Sequence, residues 1–408
     1  MKKPSYLVIL LLLTMIACKE DSSVQFENQS IKKSMVPTLL DRSEKIQMGK
    51  EWDLVQNTYV QYKNEIDTKP NDPLPKLKLA QLFIKEARVG GEHGHYYPAA
   101  LKVLDHVLAI EGIKNEIKFL ALLNKAGVQL SLHEFSDAEK TGLEALALNQ
   151  RNAQVYGVLV DANVELGNYK KAVQLADKMM SIKPDIRSYS RIAYLREIHG
   201  DVVGAKKALK LAVEAGYPGN EETAWAMLTL GELYANYGDL DSAEKIYKNI
   251  LEMRPDYPFA VAALGDIAYE KGQAKEAEKI LNEAMGIIPE VGFYISLARI
   301  YKDQGREVEF NSIMKEVFLM LEDDEAAGHN MSMEYASIYQ DLMPDSEQAL
   351  SYLLKEYEKR PKNIDINRML AKTYQSLEDK ELTRSYATVA GQTNSVHPDL
   401  IEIINYLN

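Results

Sequence analysis

With one cysteine and two tryptophans in 408 residues, this chain is first defined by what it cannot build. A lone cysteine excludes an internal disulfide and any Cys-x-x-Cys metal or redox pair, so stability must come from packing. No Gly-x-Ser-x-Gly, no phosphate-cradling glycine loop and no His-Glu-x-x-His occurs, which removes the commonest hydrolase, nucleotide and zinc-protease signatures. Runs of lysine or arginine are absent too. The balance of 48 basic against 60 acidic residues gives a formal charge of -12, which argues against nucleic acid as a partner. Long apolar runs are limited to Tyr6–Ile16, too short for an ordinary membrane span and of signal-peptide length.

The start of the chain is therefore informative. Lys2 and Lys3 precede the apolar run, which closes on Thr14-Met15-Ile16-Ala17 before Cys18. This resembles a bacterial lipoprotein signal. The resemblance implies that residues 1–17 are removed and that Cys18 is lipid-modified. Lys19 stands where an aspartate would resemble an inner-membrane retention signal, so an outer-membrane address is implied. Lys19-Glu20-Asp21 is similar to a short surface-export tether, which leaves both the periplasmic and the cell-surface face open. Residues 18–40 are polar and poor in large apolar side chains, and read as a flexible leash.

Beyond the leash the chain repeats itself. Leu230, Gly231, Gly238, Ala243, Glu244, Lys245, Ile246 and Pro255 recur as Leu264, Gly265, Gly272, Ala277, Glu278, Lys279, Ile280 and Pro289, each 34 residues later. A glycine inside a helix costs about 1 kcal/mol against alanine, so Gly231 and Gly265 imply close helix contact. Gly238 and Gly272 suit the turn between two helices, and Pro255 and Pro289 stop the second helix. Weaker copies run over 153–187, 189–219 and 291–317, with looser ones at 115–149, 330–361 and 364–390. In the 291–317 copy Phe310 stands where alanine is expected. Two helix pairs or parts of pairs, at about 42–66 and 74–110, open the array, and residues 397–408 read as a capping helix. The pattern resembles the tetratricopeptide repeat. It implies an all-α, right-handed solenoid of helix–turn–helix units over residues 41–408.

The same resemblance implies a concave groove for a peptide or protein. Carried over position by position, the groove residues are Asp161, Glu165, Tyr194, Trp225, Glu232, Asn236, Phe259, Asp266, Tyr269, Arg299 and Lys302. They are mostly acids and aromatics, with basic residues only toward the C-terminal part. Trp225 and Phe259 are equally suited to filling a seam between repeats. No catalytic residue and no cofactor is expected. The reading is a non-catalytic, lipid-anchored envelope adaptor for protein or peptide partners. A peptidoglycan- or glycan-binding role through Trp225, Phe259 and Tyr269 is an alternative.

One stretch stands apart, Gly90-Gly91-Glu92-His93-Gly94-His95-Tyr96-Tyr97-Pro98. It reads as an enlarged turn between helices at 73–88 and 96–110. Pro98 is then expected in the first turn of the second helix. His93 and His95 are weak candidates for a metal site, with a metal-dependent enzyme or metal-handling protein as the rival function. The acidic stretch 321–330 reads as the charged start of a helix.

Overall fold

The structure, a computed structural model, describes residues 36–408. The expected signal peptide, Cys18 and nearly all of the expected leash lie outside the described residues. The helical array occupies Thr38–Asn408. A short 3-10 turn at Glu44–Ile46 leads into α1 (Gly49–Thr68), α2 (Pro73–Gly90), α3 (His93–Leu108), α4 (Asn115–Ser131) and α5 (Phe135–Leu148). Then come α6 (Ala153–Glu165), α7 (Tyr169–Ile182), α8 (Ile186–Ile198), α9 (Val202–Glu214), α10 (Glu221–Asn236) and α11 (Leu240–Met253). The rest comprises α12 (Pro258–Glu270), α13 (Ala274–Met285), α14 (Val291–Asp303), α15 (Glu307–Ala326), α16 (Ser332–Ser337), α17 (Ser346–Lys359), α18 (Ile364–Ser376), α19 (Lys380–Ala390) and α20 (Pro398–Leu407). Every regular element among the described residues is helical. Consecutive helices pair antiparallel from α2/α3 to α18/α19, and the pairs stack as an α-solenoid.

Local chemistry sets each boundary. Side chains of Asp72, Asn152, Asp185, Asp201, Asp239, Asp345, Asn363 and Asp379 accept backbone N–H bonds at helix starts, satisfying donors that no helical carbonyl can reach. Most first helices end on a left-handed glycine, Gly91, Gly167, Gly200, Gly238, Gly272 and Gly305. Three pairs lack that glycine, and in two of them His133 and Glu378 take the left-handed conformation instead, at a cost of roughly 1–2 kcal/mol each. Within a pair, small residues admit large ones. A side chain at Gly231 would collide with the Tyr247 ring, and one at Gly265 would come within 2.9 Å of Leu281. Ala243 and Ala277 are fully buried beside them.

Several expectations need correction. Of the two openings left for 42–66, a pair or part of one, the structure takes the part: a short 3-10 turn followed by one long helix. The histidine stretch is not an enlarged turn. Gly90 stays in α2, Gly91 caps it with φ 74°, and α3 already begins at His93. Pro98 lies inside α3, because the helix starts three residues earlier than the apolar pattern implied. The acids of 321–330 close α15 rather than open a helix. With Phe310 half-buried, α15 packs in a cluster of its own with Met314, Val317 and Leu321. Helix α16 runs on into a π-helical turn, Ile338–Leu342, so that pair has no turn glycine.

The superhelix also touches itself. Asn330 N–H donates to the Leu132 carbonyl at 3.4 Å. His133 Nδ1 pairs with the Asn330 carbonyl at 2.9 Å and His329 Nε2 with that of Ser131 at 2.9 Å. Arg360 donates to Glu165 at 2.6 Å, Asn363 to the Glu165 carbonyl at 2.9 Å, and the Ile364 N–H to the Tyr169 hydroxyl at 2.8 Å. These partners are separated by 195 to 198 residues, so one superhelical turn takes about six repeats of 34. The contact has a fixed form. The turn inside one pair meets the loop between pairs one superhelical turn later.

Candidate inner-face binding site

The first helices of successive pairs line the inner face, so side chains one repeat apart meet there. Trp225, Phe259 and Phe293 form a ladder with ring centroids 5.9 and 5.8 Å apart, both edge-to-face. That spacing and orientation is favourable for aromatic rings. Phe259 is shared by the cores on both sides and fills a seam. Trp225 is 51% exposed and Tyr194 41%, so these two present aromatic surface to the lumen.

Not every expected groove residue is free. Asp161 is held by Arg191 through two bonds, of 2.9 and 2.6 Å. Glu165 belongs to the seam with Arg360 and Asn363. Lys302 donates to the Asp341 carbonyl at 2.5 Å, and the Tyr269 hydroxyl donates to the carboxylate of Asp303. Asn236 is exposed at the end of α10, and Arg299 is exposed where its charge acts on Asp266.

Glu232 and Asp266 remain open, and Glu197 joins them although sequence reasoning missed it. The three stand on α8, α10 and α12 at near-repeat spacing, the only signal that could have found Glu197. No ion pair holds any of them among the described residues. All three carboxyls are raised from their usual range. For Glu232 the causes are crowding by the inner wall, then the charges of Glu197 and Asp266. For Glu197 they are burial, then Asp365, opposed by Arg368. For Asp266 burial outweighs a hydrogen bond from Ser296 and the charge of Arg299.

Basic residues are not confined to the C-terminal part, as the sequence implied. Lys85, Arg88, Arg187, Arg191 and Arg254 surround a cavity of about 680 Å³ on the inner face of the first superhelical turn. Arg187 pairs with Glu222, and Arg254 donates to the Gly219 carbonyl at 3.1 Å. These residues come from helices far apart in sequence, so only the coil of the array brings them together.

His93 and His95 diverge. His95 Nε2 bonds the Thr38 carbonyl at 2.8 Å. His93 stacks on Tyr97 at 5.3 Å and faces His329 at 6.1 Å. Burial first, and then His329, lower the His93 pKa. No group of three histidine, cysteine or acidic side chains among the described residues is arranged to hold a metal ion. The helix spacing separates the two rings, because residues two apart on a helix face different directions.

Seam and lumen carboxyls together give the protein a distinctive pH response. Burial, opposed by Arg360 and aided by Asp365 and Asp161, pushes Glu165 up to about 7. Burial, aided by Asp324 and opposed by His329, does the same for Glu290. Unfolded glutamate titrates near 4.3, so the folded chain holds more protons between about 4.3 and about 7. Stability from these groups is therefore complete below the lower value and lost as pH rises through the upper one. Glu197, Glu221, Glu232 and Asp266 act in the same direction, and His93 opposes them. The expected result is a melting temperature that rises as pH is lowered from about 8 to about 5. A melting temperature that falls over that range would mean these carboxyls are paired as anions.

Residues 237–290 match the family model described as tetratricopeptide repeat. Over that segment the chain is similar to the tetratricopeptide repeat. The matched segment spans the turn of α10/α11 through α13, which is where the 34-residue identities are densest. Cellulose synthase operon protein C of Pseudomonas fluorescens (strain SBW25) is 23% identical over 170 residues, 40% of this chain and 13% of that protein. Cellulose synthase 1 operon protein C of Komagataeibacter xylinus is 25% identical over 173 residues, again 40% and 13%. The chain thus spans about an eighth of the length of these curated relatives. Among solved structures, the APC/C hetero-tetramer Cut9-Hcn1 is similar with TM-score 0.46 and 12% identity, over 90% of this chain and 60% of that one. A thermophilic tetratricopeptide protein of Thermus thermophilus is similar with TM-score 0.42 and 22% identity, over 48% and 100%.

Proposed function

We propose that this chain is a non-catalytic adaptor that holds a basic, extended segment of a partner protein along its inner face. The observation that carries this is the row of carboxyls at Glu197, Glu232 and Asp266, none held in an ion pair among the described residues, beside the exposed rings of Trp225 and Tyr194. A cationic side chain placed there would relieve their mutual repulsion, and rigid aromatics add contact area at low entropic cost. Interaction scaffolding is what tetratricopeptide arrays supply in general. The shared part with the two cellulose-operon proteins is a fraction of each, so no polysaccharide role is carried over. The adaptor works from an envelope membrane, anchored through Cys18, with the outer membrane favoured by Lys19.

Cross-linking of the full-length protein in cells, followed by identification of what co-purifies, tests this. Trp225→Ala with Glu232→Lys runs alongside. Capture of one or two envelope proteins through Lys- or Arg-rich segments, lost in the variant by roughly tenfold or more, is the expected result. Equal capture by both proteins would show that the inner face is not the binding surface.

A further inference from the structure

The seam between superhelical turns uses only part of each edge of the array. Turns at Gly91, His133, Gly167 and Gly200 are covered by the loops at 288–290, 329–330, 360–364 and 393–396. The cover is close: a Cβ at Gly167 would lie 2.6 Å from the Lys362 backbone carbon, and one at Gly200 2.6 Å from the Asn394 carbonyl oxygen. The next turns, at Gly238, Gly272 and Gly305, have the same left-handed backbone, yet a Cβ there would meet no atom of the described residues within 4 Å. On the opposite edge, the loops at 69–72, 149–152, 183–185 and 215–220 bond only within their own and neighbouring repeats among the described residues.

Both uncovered edges carry apolar side chains in water. Tyr217, in the loop before α10, is 77% exposed. Val308, just beyond the Gly305 turn, is 82% exposed, and Leu377 beside the last turn is 46% exposed. Isolated exposed apolar residues are ordinary, but these sit on the two edges that the seam joins elsewhere. Tyrosine is also a frequent anchor of protein interfaces.

We propose that a second copy of this chain docks its loop edge, led by Tyr217, onto the turn edge at Gly238, Gly272 and Gly305, continuing the seam from one molecule to the next. The occupant is argued from continuity with the seam inside the chain. Four turns already receive loops of this chain in one register. The docked loop Arg360-Pro361-Lys362-Asn363 has its counterparts in Lys69-Pro70-Asn71, Lys183-Pro184-Asp185 and Tyr217-Pro218-Gly219-Asn220. Asn363 docks by donating to a carbonyl at the end of a first helix, and Asn71, Asn152 and Asn220 offer the same donor. Two different edges join, so the association is head to tail and does not close on itself as a two-fold dimer would.

Sedimentation velocity of the full-length chain in mild detergent, over a roughly hundredfold concentration range, decides the matter. The expected wild-type result is a mass that climbs with concentration without stopping at two copies. Gly272→Arg with Gly305→Arg blocks the turn edge; a Cβ at either site meets no neighbouring atom within 4 Å among the described residues, and the monomer bears only the left-handed backbone strain of roughly 1–2 kcal/mol at each site. Tyr217→Asp blocks the loop edge at an exposed site. Each variant alone should associate at least roughly tenfold more weakly, with circular dichroism and melting confirming an intact fold. Mixing the two variants should restore a single one-to-one dimer, since each keeps one good edge. A wild type that stays monomeric, a mass that stops at two copies, or variants that associate like wild type would each overturn the proposal.

Discussion

Arg360→Ala is expected to lower stability by roughly 3–5 kcal/mol, because it strands a buried charge. Arg360 is 7% exposed and donates to Glu356 at 2.8 Å and, across the seam, to Glu165 at 2.6 Å. Glu356 is 1% exposed. Its carboxyl is held below the usual range against its burial by bonds from Asn330, Lys359 and Arg360. Removing the guanidinium leaves that buried charge only Asn330 and the exposed Lys359, and Glu165 loses its only cation among the described residues. Arg306→Ala makes the comparison. It breaks a 2.7 Å pair with Glu278 whose partners are 31% and 26% exposed, and such a solvent-screened pair contributes far less than a buried one. Denaturant midpoints check the difference. A repeat array can lose its ends separately, so hydrogen exchange at the seam should accompany them. Equal loss in the two variants would mean that the seam pair is as solvated as the surface one.

Gly167→Val is expected to open the seam, and Gly272→Val is not. Both glycines are left-handed, with φ of 75° and 76°, so valine strains each by roughly 1–2 kcal/mol. Only Gly167 faces another turn of the superhelix. A Cβ there falls 2.5 Å from the Lys362 Cβ and 2.6 Å from its backbone, whereas one at Gly272 meets no described residue within 4 Å. Backbone cannot swing aside as a flexible side chain does, so Gly167→Val should cost about 1–3 kcal/mol more than its counterpart. The Ile364 amide, bonded to the Tyr169 hydroxyl across the seam, should exchange faster in Gly167→Val and unchanged in Gly272→Val. Identical exchange in both would show that these turns do not meet in solution.

The two experiments divide what was legible from what was not. Gly167 and Gly272 look alike in the sequence, since both are turn glycines at a repeat position. Their difference arises about six repeats away, at Lys362. The inner-face acids were partly legible: Glu232 and Asp266 follow the repeat, and Glu197 follows it one residue out of step. Phe259 was left between groove and seam by its sequence position, and the structure puts it in the seam, beneath a more exposed Trp225. The histidine pair misled because glycines suggested a wide turn, whereas Gly90 continues α2 and α3 starts at His93. Local glycine content does not say which glycine caps the helix.

The sequence by itself determined the all-helical repeat, the glycines that let helices touch, most of the helix ends and the final helix at 398–407. These depend on interactions within about one repeat, where chemistry and spacing are visible along the chain. Only the tertiary structure decided that Arg360 reaches Glu165, that His329 meets Ser131, and that five basic residues from α2, α8 and the end of α11 face one cavity. The reason is geometric. A small rotation between neighbouring repeats, set by how their side chains pack, accumulates over six of them until one turn lands on another, and no local pattern records that sum.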